Sequence, residues 1–143
     1  MSQPLTTTWV LYTVTWATWG RQKSVMIVHW PFVLKQLGPK HVDVARTYND
    51  MGILHSNLGN LWLAKEFHGR ALVIYLTEFK HVEVGRTYND LGIVHSKLGD
   101  LEQAKYYYER ALVNYEKEFG PEHVDVTAVQ HNLVKLQRMI DSR

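Results

Sequence analysis

The strongest constraint on the fold is a segment of the sequence that occurs twice. The residues from His41 to Gly59 return, with few changes, from His81 to Gly99, at an offset of 40 residues. A third and shorter copy begins at His123, 42 residues after the second. Self-similarity at a spacing of roughly 20 to 50 residues is the signature of a stacked-repeat array. We therefore expect each copy to complete its core against the neighbouring copy.

Each full copy has the pattern of a helix, a short turn and a second helix. In the first copy, apolar and small residues recur at steps of three and four, as on one face of a helix: Val44, Tyr48, Met51, Gly52, Leu54, His55 and Leu58. The second helices are expected over about 61–79 and 101–119. Gly59 suits the left-handed end of the first helix. Asn60 and Asp100 are predicted to cap the second helices.

The copies divide the chain into units. Repeat one covers residues 41–80, repeat two covers 81–122, and the third copy keeps only its first helix, 123–141. The link between the first two units is two residues shorter than the next link, which predicts a tight turn near residues 78–81. The last helix is more polar, as a solubilising end cap must be. We predict an all-α array of two helical hairpins plus a C-terminal capping helix.

Short motifs recur at matched positions in both copies. They are Met51-Gly52, Leu58-Gly59-Asn60, Ala64 and Ala71-Leu72, and then Leu91-Gly92, Leu98-Gly99-Asp100, Ala104 and Ala111-Leu112. With these motifs, residues 32–143 resemble the tetratricopeptide repeat family. The 40–42 residue unit is similar to the kinesin light chain and nephrocystin-3 subgroup. The resemblance implies a right-handed α-α superhelix, no catalytic activity, and peptide binding along a concave face lined by the first helices.

Residues 1–31 form an atypical leader that does not continue the repeat. Apolar residues alternate there as in a strand, but the tryptophans also fit one helix face, so a hairpin and a disordered segment both stay open. Residues 32–37 align with the end of a second-type helix, which suggests that the leader replaces an earlier part of the array. Neither a signal peptide nor an apolar run of ~18 residues is present.

The concave face implied by the resemblance carries polar and basic side chains around two isoleucines. The candidate peptide-binding residues are Arg46, Asn49, Ile53, Asn57, Arg86, Asn89, Ile93, Ser96, His131 and Lys135. Asparagine pairs with both backbone N–H and C=O groups, and arginine binds carboxylates through two bonds. We expect a protein or peptide partner with acidic and apolar residues. A plainer alternative is that Arg46 and Arg86 pair with Asp50 and Asp90 one turn on.

Other function classes are disfavoured by composition and motifs. The net charge of +2 gives no basic surface for nucleic acid, which stays the weaker binding alternative. The repeated histidines are predicted to be packing residues with satisfied hydrogen bonds and not metal ligands, and no metal or cofactor site is expected. The chain has no cysteine, which fits a cytoplasmic location. The main alternative function is structural: a truncated or self-associating fragment without a ligand of its own.

Overall fold

The computed structural model describes residues 41–78 and 81–143, and these residues form five α-helices and no strand. The helices are α1 (Val42–Asn57), α2 (Leu61–Thr77), α3 (His81–Leu98), α4 (Leu101–Phe119) and α5 (Val124–Asp141). Consecutive helices pack on one another from α1 to α5, and α1 also contacts α3. The predicted all-α array of stacked helical hairpins is confirmed.

Two sequence predictions lie outside the described residues. The leader, residues 1–31, is one of them, together with the helix end predicted at 32–37. The turn between the two hairpins is the other, because residues 79 and 80 are not described. On its near side, α2 ends at Thr77, two residues before the predicted end of the helix.

Small residues let the two helices of each hairpin approach closely. A Cβ atom added at Gly52 would lie 2.6 Å from the His68 ring, and one added at Gly92 would lie 2.6 Å from the Tyr108 ring. The alanines of the second helices are fully buried: Ala64, Ala71, Ala104 and Ala111. Each glycine therefore accommodates a ring from its partner helix, and His68 occupies in the first hairpin the place that Tyr108 has in the second.

The helix ends confirm one prediction and correct another. Gly59 adopts a positive φ of 81° and ends α1, as expected. The capping prediction for Asn60 and Asp100 is wrong, because neither side chain bonds to the start of its helix. Both side chains turn back to a histidine of the preceding helix. Asn60 Nδ2 lies 3.4 Å from His55 Nδ1, and Asp100 Oδ2 lies 3.3 Å from His95 Nδ1.

Histidines take two structural roles in the described part of the chain. His55, His68 and His95 are buried, as predicted, and the rings of His55 and His95 stack on aromatic rings of the second helices. His41 and His123 instead cap helices, because their Nδ1 atoms accept the backbone N–H of Asp43 and Asp125 at 3.0 and 3.2 Å. The described residues contain no group of three or more side chains that could hold a metal ion, and no helix long and apolar enough to cross a membrane.

Candidate functional site

A cavity of about 280 Å³ lies between the first helices of the two hairpins. Its lining residues are Ile53, Ser56, Asn57, His68, Asp90, Ile93 and Lys97. The residues of α1 and of α3 recur at steps of three and four, so each set faces the cavity from one side of its helix. His68 reaches the cavity from α2, because Gly52 leaves room for its ring beside α1.

A buried hydrogen-bond network lies beside the cavity and joins three helices. Asn49, on α1, is only 4% exposed. Its Oδ1 accepts from His68 Nδ1 on α2 at 2.7 Å and from Thr87 Oγ1 on α3 at 3.4 Å. Its Nδ2 donates to Asp90 Oδ2 at 3.4 Å. The network therefore fixes the positions of the His68 ring and the Asp90 carboxylate, which both line the cavity.

The electrostatics of the cavity follow from burial. Burial raises the pKa of Asp90 to about 6, although the Asn49 hydrogen bond and the charge of Arg86 oppose this rise. Burial lowers the pKa of His68 to about 4. At neutral pH the aspartate is therefore mainly ionised and the histidine is neutral. Since Asn49 Oδ1 can only accept, the Nδ1 atom of His68 carries the ring proton.

The next layer, between α3 and α5, repeats this arrangement without a carboxylate. Asn132 occupies on α5 the position that Asp90 has on α3. Its Nδ2 donates to Asn89 Oδ1 at 3.2 Å, and Ser96 Oγ lies 3.9 Å from the sulfur of Met139. Polar side chains thus connect successive first helices along the groove, and the charged member belongs to the first layer.

Comparisons with known proteins agree with this architecture. Residues 81–142 match the family model described as tetratricopeptide repeat. The crystal structure of BtubC (BKLC) from P. vanneervenii superposes with a TM-score of 0.72 at 23% identity. That match covers 82% of this chain and 48% of the other, so this chain spans about half its length. The family match covers the second hairpin and the last helix, and the structural likeness shows the fold. No curated protein matches the sequence significantly.

The candidate peptide-binding residues fall into three groups. Ile53, Asn57 and Ile93 line the cavity. Asn49 lies beneath the surface in the buried network, and Asn89 and Ser96 contact α5. The other candidates are exposed and do not line the cavity: Arg46, Arg86, His131 and Lys135. The structure thus brings three of the ten residues together at the cavity.

The pairing of Arg46 and Arg86 with aspartates one turn on is not observed. Arg46 forms an ion pair of 3.1 Å with Asp43, on the exposed side of α1. Arg86 is exposed and forms no ion pair with any described residue. The physical reason is that the Asp90 carboxylate accepts from Asn49, toward the neighbouring helix.

Four lining residues are absent from the candidate set: Ser56, His68, Asp90 and Lys97. Ser56, Asp90 and Lys97 lie on the concave face that the sequence predicts for the first helices, although they are not among the ten candidates. His68 comes from a second helix, which the resemblance does not place at the groove. Its signal in the sequence is the exchange of an aromatic for a polar ring: His68 stands where the second copy has Tyr108, and it faces Gly52, a glycine that both copies share.

Proposed function

We propose that the chain is a non-catalytic protein–protein interaction module that binds a peptide segment of a partner in the groove formed by the first helices. Tetratricopeptide repeats generally mediate such interactions. The observation that carries the proposal is the cavity between α1 and α3, where apolar and polar side chains converge from both helices. Such concave sites, with few polar groups among apolar walls, are the usual binding places on proteins.

The side chains around the cavity define the chemistry of the proposed partner. Ile53 is 38% exposed and contributes apolar wall together with Ile93. Asn57 is exposed and offers both a donor and an acceptor to a peptide backbone. Arg86 and Lys135 lie outside the cavity with exposed cationic groups. They support a partner segment in which acidic residues flank apolar ones.

The finer assignments belong to the same proposal. The repeat spacing of 40 and 42 residues supports the kinesin light chain and nephrocystin-3 subgroup. We also propose a cytoplasmic location, supported by the absence of cysteine from the sequence.

The groove is tested by peptide-array binding of the full chain and of the double variant Arg86→Ala/Asn57→Ala. Both residues are exposed, so their replacement leaves the core intact. We expect a loss of about tenfold in binding, since one exposed charge-assisted contact and one amide contact disappear. Gln103→Ala/Glu109→Ala, two exposed changes on α4, is the control. If the groove variant binds every peptide as strongly as the parent chain, the groove is not the binding surface.

A second candidate function is self-association, and the outer face of α2 favours it. Trp62 is 71% exposed and Val73 is 65% exposed on this helix, with Leu76 also exposed on the same stripe. The corresponding positions of α4 hold Glu102, Val113 and Glu116. Exposed apolar patches commonly mark contact sites. Light scattering over a concentration series tests this role: the parent chain would associate, and Trp62→Glu/Leu76→Glu would stay monomeric.

A further inference from the structure

We propose that the cavity between α1 and α3 receives a basic side chain of the bound peptide, a lysine or an arginine, whose cationic group pairs with Asp90. This inference rests on the proposed function and names the residue type that the same groove selects. It follows from the acceptors that line the cavity, from the cations nearby, and from a comparison with the next layer of the array.

The first argument is the hydrogen-bonding capacity of Asp90. It is the only carboxylate among the residues that line the cavity. An ionised carboxylate can accept about four hydrogen bonds. Among the described residues, Asp90 accepts one side-chain bond, a long one of 3.4 Å from Asn49. A guanidinium or ammonium group supplies several donors and opposite charge at once, and such charge-assisted bonds are the strong ones.

The second argument is that His68 adds another acceptor and no positive charge. Its Nδ1 atom donates to Asn49 Oδ1 at 2.7 Å, which fixes the proton on that nitrogen. Burial lowers the pKa of the ring to about 4, so the ring is neutral at physiological pH. The other nitrogen, Nε2, therefore carries a lone pair and can only accept. The buried His68 and the partly buried Asp90 both offer acceptors and thus favour a ligand group that donates.

The size and walls of the cavity fit a long basic side chain. Its volume of about 280 Å³ compares with roughly 30 Å³ for one water molecule in the liquid, so several methylene groups fit. Ile53 and Ile93 form apolar walls on opposite helices. Lysine and arginine place an aliphatic stem against apolar surface and keep the charged head at a polar group. The apolar walls and the acceptors match these two parts.

The cations of the chain itself do not fill this role. Lys97 also lines the cavity, but its side chain is exposed and its Nζ donates to Ser56 Oγ at 3.4 Å. Arg86 is exposed and acts on Asp90 without an ion pair. Charges held in water are screened, whereas a cation placed in the cavity would meet Asp90 at contact distance. The carboxylate is therefore available to a ligand.

The third argument comes from the next layer. There Asn132 occupies the position of Asp90 and donates through Nδ2 to Asn89 Oδ1, whereas Asp90 accepts from Asn49 Nδ2. An asparagine therefore satisfies the fold at this position. A partly buried carboxylate is costly for folding unless it is paired. Pairing with a ligand thus explains the charge of Asp90 better than the requirements of the fold do.

The test uses the full chain and a positional-scanning library of synthetic decapeptides, in which one position at a time is fixed. We expect the parent chain to enrich lysine or arginine over norleucine, an uncharged isostere, by about tenfold at one position, the effect of one charge-assisted bond. Asp90→Asn should abolish this preference. Asp50→Asn is the matched control, because Asp50 is the exposed counterpart of Asp90 in the first copy.

Each outcome separates this inference from the proposed function. If the groove binds peptides without selecting a basic residue, or if Asp90→Asn keeps the selection, this inference is overturned and the proposed function stands. Equal loss in Asp50→Asn would also overturn it, because the effect would then be one of overall charge. If no peptide binds to the parent chain, both are overturned. Circular dichroism and the urea midpoint of Asp90→Asn, expected to be no lower than those of the parent, show that the variant is folded.

Discussion

The two hairpins share one frame and differ in the residues placed on it. Both have a glycine that accommodates a ring, Gly52 in the first and Gly92 in the second. Both have a stacked histidine at the end of the first helix, His55 and His95. These shared residues set the distance between the helix axes. A larger side chain at either glycine would push the axes apart.

The differences between the hairpins cluster at two surfaces. At the groove, the first hairpin has His68 where the second has Tyr108. On the outer face, α2 exposes Trp62 where α4 has Glu102. Trp62 lies away from the packed glycines, whereas the His68 ring lies against Gly52. The comparison shows that the same glycine position accommodates either an imidazole or a phenol ring, and that the outer faces of the two hairpins differ in polarity.

The largest expected effect breaks the shared frame. Gly52→Ala or Gly92→Ala places a Cβ atom 2.6 Å from a buried ring, which must move or push the helices apart. Overpacking of this kind costs about 1–3 kcal/mol, and the better helix propensity of alanine returns ~1 kcal/mol. We expect each change to lower the free energy of unfolding by about 1–2 kcal/mol in urea titrations.

Two double variants check the cause of this loss. Gly52→Ala/His68→Ala and Gly92→Ala/Tyr108→Ala remove the ring that the added methyl group meets. If the clash is the cause, each pair is less destabilised than the sum of its two single changes. Purely additive losses, or single variants as stable as the parent chain, would contradict the close approach of glycine and ring.

The second prediction separates the two titrating groups at the groove. The pKa of His68 is lowered from 6.5 to about 4, so its contribution to stability is lost as the pH falls from about 6.5 toward 4. The pKa of Asp90 is raised from 3.8 to about 6, so it adds stability as the pH falls from about 6 toward 4. The two effects oppose each other in the parent chain.

Replacing one of the two groups makes the effect of the other on the free energy of unfolding measurable. In Asp90→Asn the free energy of unfolding should fall between pH 6.5 and 4.5, and in His68→Gln it should fall less or rise. Each group should contribute about 2 kcal/mol over this range, with opposite signs, given that one pKa unit is worth ~1.4 kcal/mol, so the two pH profiles should separate by the sum of both contributions. All other carboxylates are common to both variants and cancel in the comparison. Parallel pH profiles would show that the two groups are not buried as described.

The fold could be predicted from the sequence because it rests on repeated local signals. The positions of Gly52 and Gly92, the alanines of the second helices and the 40-residue offset recur together, and they place the second helices and the last helix to within about two residues. The helix caps were harder. Asn60 and Asp100 are residue types that commonly cap helices, but each side chain contacts the histidine of the preceding helix instead. Tertiary contacts decided there over local preference.

The cavity could be predicted only in part. Ile53, Asn57 and Ile93 follow from helical periodicity together with the family resemblance. The same periodicity predicts Asn49 on this face, one helical turn before Ile53. Its side chain is instead buried, and its amide bonds to residues of two other helices. The role of Asp90 depends on which neighbour its carboxylate meets across the layer. That geometry is set by the stacking of the repeats and leaves no mark in the sequence.

The smallest expected effect concerns the outer face of α2. Gly69 stands in mid-helix where the second copy has Glu109, and a Cβ added there meets nothing within 4 Å. Gly69→Ala should therefore raise the free energy of unfolding by about 0.5–1 kcal/mol, through helix propensity alone. The reciprocal change, Glu109→Gly, should lower it by a similar amount in the same thermal or urea titration.

Association data on the same variant would sharpen the comparison between the two outer faces. Gly69 lies beside the exposed side chains of Trp62 and Leu63, in a shallow depression of α2. If a second copy of the chain packs closely there, Gly69→Ala stabilises the single chain and yet weakens association in light scattering. If association is unchanged while stability rises, Gly69 only destabilises its helix and does not contribute to association. The exposed apolar side chains of α2 would then mediate association without close contact between helices.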